Sequence, residues 1–112
     1  MYIAELKKMV SNLPDKPFLV DIETVRSCKT YREACVKAWE LKWVKNMKIS
    51  TLAELGEFYP QHVSCWLNKN GGVGQKELPG KYIAQFEVLV GNHLVTQWLA
   101  LQAGYVLAKE FI

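Results

Sequence analysis

The side chains in this sequence best suited to chemistry are two histidines, His62 and His93, and three cysteines, Cys28, Cys35 and Cys65. A nucleophilic site sets a thiol or hydroxyl beside a base that a third group orients, and neither histidine stands in such a pattern. No catalytic residue and no enzymatic activity are therefore expected. The cysteines are odd in number, fit neither a zinc ribbon nor a Cys-x-x-Cys pair, and have only two histidines to join them, so no metal site is expected. Each cysteine falls in or beside a helical pattern, where a small buried hydrophobe is the expectation, with Cys65 the exception. Gly71-Gly-Val-Gly74 follows a helical pattern, not a strand, and lacks the Gly-Lys-Ser/Thr ending of a phosphate-binding loop. No cofactor is expected.

One stretch offers a different chemistry, hydrogen bonding without charge. From Pro60 to about Asn68, Val63, Trp66 and Leu67 share one helical face and leave Gln61, His62, Ser64, Cys65 and Asn68 on the others. Side chains of these types hydrogen-bond base edges or phosphates. A formal net charge of +3 leans toward a polyanion, and seven basic residues lie between Arg26 and Lys48: Arg26, Lys29, Arg32, Lys37, Lys42, Lys45 and Lys48. On this reading Gln61, His62, Cys65 and Asn68 face bases. Lys45, Lys48 and Lys69, with Ser50, Thr51, Tyr59 and Ser64, face phosphates or position the helix.

Positioning such a face requires helices, and the apolar periodicity supplies them. Ile3, Leu6, Met9 or Val10, and Leu13 mark a first helix that Pro14 to Pro17 stop. Phe18 to Glu23 has no second strand-like run to pair with and is expected as an extended or weakly helical connector. Thr30 to about Met47, without glycine or proline, predicts the longest helix, with Tyr31, Ala34, Cys35, Ala38, Trp39 and Trp43 along its stripe. Thr51-Leu-Ala-Glu54 has the capping-box form and predicts the next start. That helix breaks near Glu57 to Tyr59, and Pro60 suits the first position of another. After the glycine loop, Pro79 opens a helix that Gly91 closes, and Asn92 caps a last helix that Gly104 ends. Trp39, Trp43, Trp66 and Trp98 fall at core spacing, so packing is expected of them before base stacking.

The 112 residues, half of them hydrophobic, are enough for one domain with a real core. The expectation is an all-α fold, a small domain of about five helices containing a helix-turn-helix at 51–69, with residues 1–29 as an N-terminal extension, 30–74 as the helical core and 75–112 as C-terminal helices. Apolar runs such as Phe18-Leu-Val20 and Val88-Leu-Val90 are far short of the roughly 20 residues that span a bilayer. The start, Met1-Tyr-Ile-Ala-Glu-Leu-Lys-Lys8, lacks the form of a signal peptide. A cytoplasmic protein without membrane contact is expected.

Leu52-Ala53 followed by Phe58-Tyr-Pro-Gln-His-Val-Ser-Cys-Trp-Leu67 resembles the helix-turn-helix of small phage regulators of the CII-like, repressor-like type. Their second helix commonly reads Val-Ser-Arg-Trp-Leu. The similarity continues through Leu67-Asn-Lys-Asn70, Leu78-Pro79, Val90-Gly-Asn92 and Trp98 to Leu107, about half of the chain. Glu57 stands where that family prefers glycine, and Cys65 where it carries arginine. The resemblance implies a sequence-specific DNA-binding transcriptional regulator of phage or prophage type, with double-stranded DNA as partner. A single recognition helix reads few base pairs, so a homodimer on two half-sites is expected, joined through Trp98, Leu101, Tyr105, Val106, Leu107, Phe111 and Ile112. The alternative is a non-catalytic protein-interaction module or inhibitor on the same scaffold, motivated by Cys65 and the unmatched extension.

Overall fold

Local capping chemistry opens the first two helices. In the computed structural model, which describes residues 16–71 and 75–108, Asp21 Oδ2 accepts from the Thr24 amide at 3.1 Å and starts α1, Ile22–Ser27. Thr30 Oγ1 accepts from the Glu33 amide at 3.1 Å and starts α2, Tyr31–Glu40. Each cap satisfies an amide that the first helical turn leaves without a partner, an effect of about 1 kcal/mol. The helix expected over Ile3 to Leu13, the glycines at 72 and 74, and Phe111 and Ile112 lie outside the described residues.

Four further helices follow: α3, Ile49–Gly56; α4, Pro60–Trp66; α5, Ile83–Val90, entered through a 3-10 turn at Gly80–Tyr82; and α6, Leu94–Gln102. The described residues are all-helical apart from one isolated parallel bridge between Phe18 and Asn92. None of these helices is long and apolar enough to cross a membrane. The connector before α1 is extended where it meets that bridge. Phe18 donates to the Gly91 carbonyl at 2.9 Å and accepts from the His93 amide at 2.8 Å. Gln97, buried on α6, then clasps both backbone groups of Val20 at 2.8 Å.

The core joins Val25 of α1, Ala34 and Cys35 of α2, Leu52 of α3, Val63 and Trp66 of α4, Phe86 and Leu89 of α5, and Leu94 and Val95 of α6. α2 packs chiefly on α6, and α3 on α4 and α5. Pro60 is the first residue of α4, Gly91 closes α5 at φ 83°, and Gly104 follows α6 at φ 88°, as the sequence predicts. Asn92 stands one residue ahead of the assigned cap of α6, yet its Oδ1 accepts from the Leu94 amide at 3.1 Å and its Nδ2 donates to the Ala38 carbonyl.

Three expectations need correction. The helix expected to reach Met47 ends at Glu40, because the Trp43 amide donates to the Val90 carbonyl at 2.8 Å and turns the chain onto α5. Trp43 is consequently on a turn and 48% exposed, not in the core. The α3 helix starts at Ile49 after Lys48, so Thr51 lies inside its first turn and does not cap it.

Candidate nucleic-acid interface

Three residues, Glu57 to Tyr59, join α3 to α4, and the form of their turn is set by hydrogen bonds. The Phe58 amide donates to the Ala53 carbonyl at 2.8 Å and the Glu57 amide to the Glu54 carbonyl at 3.3 Å. This six-to-one and five-to-two pairing is a Schellman closure, which requires a left-handed residue where Glu57 stands. Glu57 adopts φ 58° and ψ 40°. A side chain there costs about 1 kcal/mol relative to glycine.

The glycine of this turn sits one residue earlier. A Cβ on Gly56 would fall 2.3 Å from Phe58 Cε2, so the absence of a side chain lets Phe58 fold over the end of α3. Its ring then meets Trp66 edge-on with centroids 5.2 Å apart, and Tyr82 at 5.2 Å. These rings seat α4. Val63 and Trp66 are buried in α4, and Leu67 beyond it, matching the expected inner face.

The outer face holds Gln61 and Ser64, continued by Asn68 and preceded by Tyr59, all exposed. His62 and Cys65 are half-buried at its edges. The His62 ring stands edge-on to Tyr59 at 5.2 Å, and its Nε2 accepts from Lys76 Nζ at 3.1 Å. Lys76, absent from the predicted set, therefore places a cation beside α4. Lys45, Lys48, Ser50 and Thr51 are exposed along the approach to α3 and its first turn. They form a separate group, at the far end of α3 from the turn. Lys69 is exposed but bonded to Glu40 at 3.3 Å, and Glu40 also holds Lys37 at 3.3 Å. Partial burial pushes the Glu40 carboxyl up, but the two ammonium groups outweigh it and hold it below the usual range.

Arg32 belongs to the structure and not to the basic surface. It is 7% exposed and donates to the carbonyls of Cys65, Asn68 (3.2 Å), Gln75 (3.4 Å) and Lys76 (2.9 Å), with Glu77 3.7 Å away. It thus satisfies the carbonyl end of α4 and ties the segment after the glycine loop to it. A Cβ on Gly71 would lie 2.5 Å from the Arg32 guanidinium carbon. The sequence signal was its spacing: Cys28, Arg32 and Cys35 recur at helical intervals, which puts Arg32 inside.

The remaining candidates for chemistry are structural. Cys28 and Cys35 are buried, and burial pushes both thiols up, Cys35 to about 12. His93 Nδ1 bonds the buried Glu87 carboxylate at 2.9 Å, beside the start of α6. Among the described residues no group of three or more His, Cys, Asp or Glu could hold a metal ion. A groove of about 830 Å³ between α2 and the segment after α4 has walls whose acids and bases pair with one another. No family model, curated protein or solved structure matches the chain.

Proposed function

We propose that this protein is a sequence-specific, non-catalytic DNA-binding transcriptional regulator of the phage or prophage type that its sequence resembles, working as a cytoplasmic homodimer. The observation that carries this reading is the α3–turn–α4 unit. A three-residue turn joins two short helices, and the second buries its apolar side while presenting Gln61, Ser64, Asn68 and Tyr59 outward. Uncharged hydrogen-bonding groups on a seated short helix suit base edges in the major groove. Lys45 and Lys48 by α3, and Lys76 by His62, supply cations for phosphates.

Selection of binding sites from a random DNA pool tests the reading. The expected result is an enriched motif whose affinity falls with salt, log against log, by about 0.9 per phosphate contacted. Failure to enrich any motif would overturn it. The dimer would join through Leu99, Tyr105 and Val106, which are exposed at the end of α6 and beyond, and would read half-sites about one helical turn apart. Light scattering on the full chain and on a version ending at Gly104 checks this. A full-length monomer at tens of micromolar, where dimers of this kind assemble, would contradict it.

A second reading, a protein-interaction module on the same scaffold, is favoured by the withdrawal of Arg32 into the core and the pairing of Lys69 with Glu40. The same selection separates the two, since this reading predicts no enriched motif.

A further inference from the structure

Phe18 and Trp43 meet on the surface with ring centroids 5.0 Å apart, 50% and 48% exposed. Large aromatic surface is seldom left half in water without use. Their backbones are fixed to one place. Phe18 bonds Gly91 and His93, and the Trp43 amide bonds Val90, so both rings stand on the turn between α5 and α6. Leu19 and Leu41, each next or next but one to a ring in the chain, are also exposed. Rigid aromatics that lose little entropy on contact are the side chains that dominate protein interfaces.

The rim of this patch is positive. Lys16, Lys42 and Lys45 lie within two residues of a ring, and none has a carboxylate partner among the described residues. The nearest carboxylates along the chain are engaged elsewhere: Asp21 caps α1, and Glu40 holds Lys37 and Lys69. We infer that the Phe18–Trp43 pair is a docking surface for an acidic protein segment carrying an apolar anchor. A second copy of this chain fits poorly, because a two-fold contact would set the same lysines against one another. Nucleic acid fits poorly too, since the two rings pack on each other and do not stand as open stacking platforms. This surface is independent of the α4 face and does not rest on the DNA reading.

The test is selection of a random displayed peptide library on the immobilised full chain. The best peptide is then titrated into the wild type and into Trp43→Ser, Phe18→Ser and Lys16→Glu, with amide and indole N–H shifts followed by NMR. Expected are sequences with Asp or Glu flanking Leu, Ile, Met or Phe, shifts centred on Phe18 and Trp43, and affinity reduced about tenfold or more by Trp43→Ser. Lys16→Glu, a change on an exposed side chain, should weaken binding about threefold and serves as the test if an aromatic variant fails to fold. Absence of enrichment, enrichment of neutral or basic peptides, or affinity untouched by every variant would overturn the inference. Phosphatidylglycerol vesicles form a parallel arm. Vesicle binding lost in Trp43→Ser without any enriched peptide would identify a lipid surface and overturn it equally.

Discussion

The α3–α4 and α5–α6 pairs share one plan, two short helices joined by three residues of which the first is left-handed, and they differ in what becomes of their polar groups. At the α5–α6 junction the polar side chains are buried and bonded. Glu87 accepts from the Thr96 amide at 2.8 Å, the Thr96 hydroxyl at 2.6 Å and His93, while Asn92 and Gln97 are engaged at both ends. At α4 no side chain caps the helix start, and Gln61, Ser64 and Asn68 face solvent. The turn follows the same division, glycine at Gly91 and glutamate at Glu57. Polar residues in one pair hold the fold, and in the other they remain available to a partner.

The comparison is broken most severely at Glu87. Replacing it with alanine leaves the Thr96 amide, the Thr96 hydroxyl and His93 without their acceptor, and the expected loss of stability is roughly 3 kcal/mol. Chemical denaturation measures it, and a loss below about 1 kcal/mol would mean that water replaces the carboxylate. Gly56→Ala is next. The added methyl must displace a Phe58 ring already wedged between Trp66 and Tyr82, so a loss of about 1–2 kcal/mol is expected despite the better helix propensity of alanine. Glu57→Gly reverses the sign. Relief of the left-handed side chain is expected to stabilise by about 0.5–1 kcal/mol, read as a higher denaturation midpoint.

The sequence made legible whatever depended on a residue and its immediate neighbours. Pro60 at the start of α4, Gly91 and Gly104 at helix ends, and the inner face of Val63, Trp66 and Leu67 all follow from backbone preference or 3.6-residue spacing. What escaped depends on contacts across the fold. Nothing between Thr30 and Met47 breaks a helix, and α2 stops at Glu40 only because Val90 offers a carbonyl to Trp43. Arg32 reads as one more surface cation until the carbonyls at the end of α4 are seen to need a donor. Of two capping boxes in the sequence, the genuine one is Thr30 with Glu33, whereas Thr51 with Glu54 lies within a helix already begun at Ile49. Local pattern alone does not separate them. In the candidate site, Gln61, Ser64 and Asn68 lie where spacing puts them. His62 is drawn aside by Tyr59 and Lys76, which belong to the turn and to a distant segment.

The division of labour between the two pairs is tested most directly by the combined variant Gln61→Ala, Ser64→Ala and Asn68→Ala, compared with the wild type in denaturation and in binding to the DNA site enriched from a random pool. These side chains are exposed, so stability is expected to stay within about 0.5 kcal/mol of wild type. Affinity for the selected site is expected to fall about 100-fold, with binding to unrelated DNA little changed. A variant that folds as well as the wild type and still binds the selected site with undiminished affinity would contradict the assignment of α4 as the reading helix.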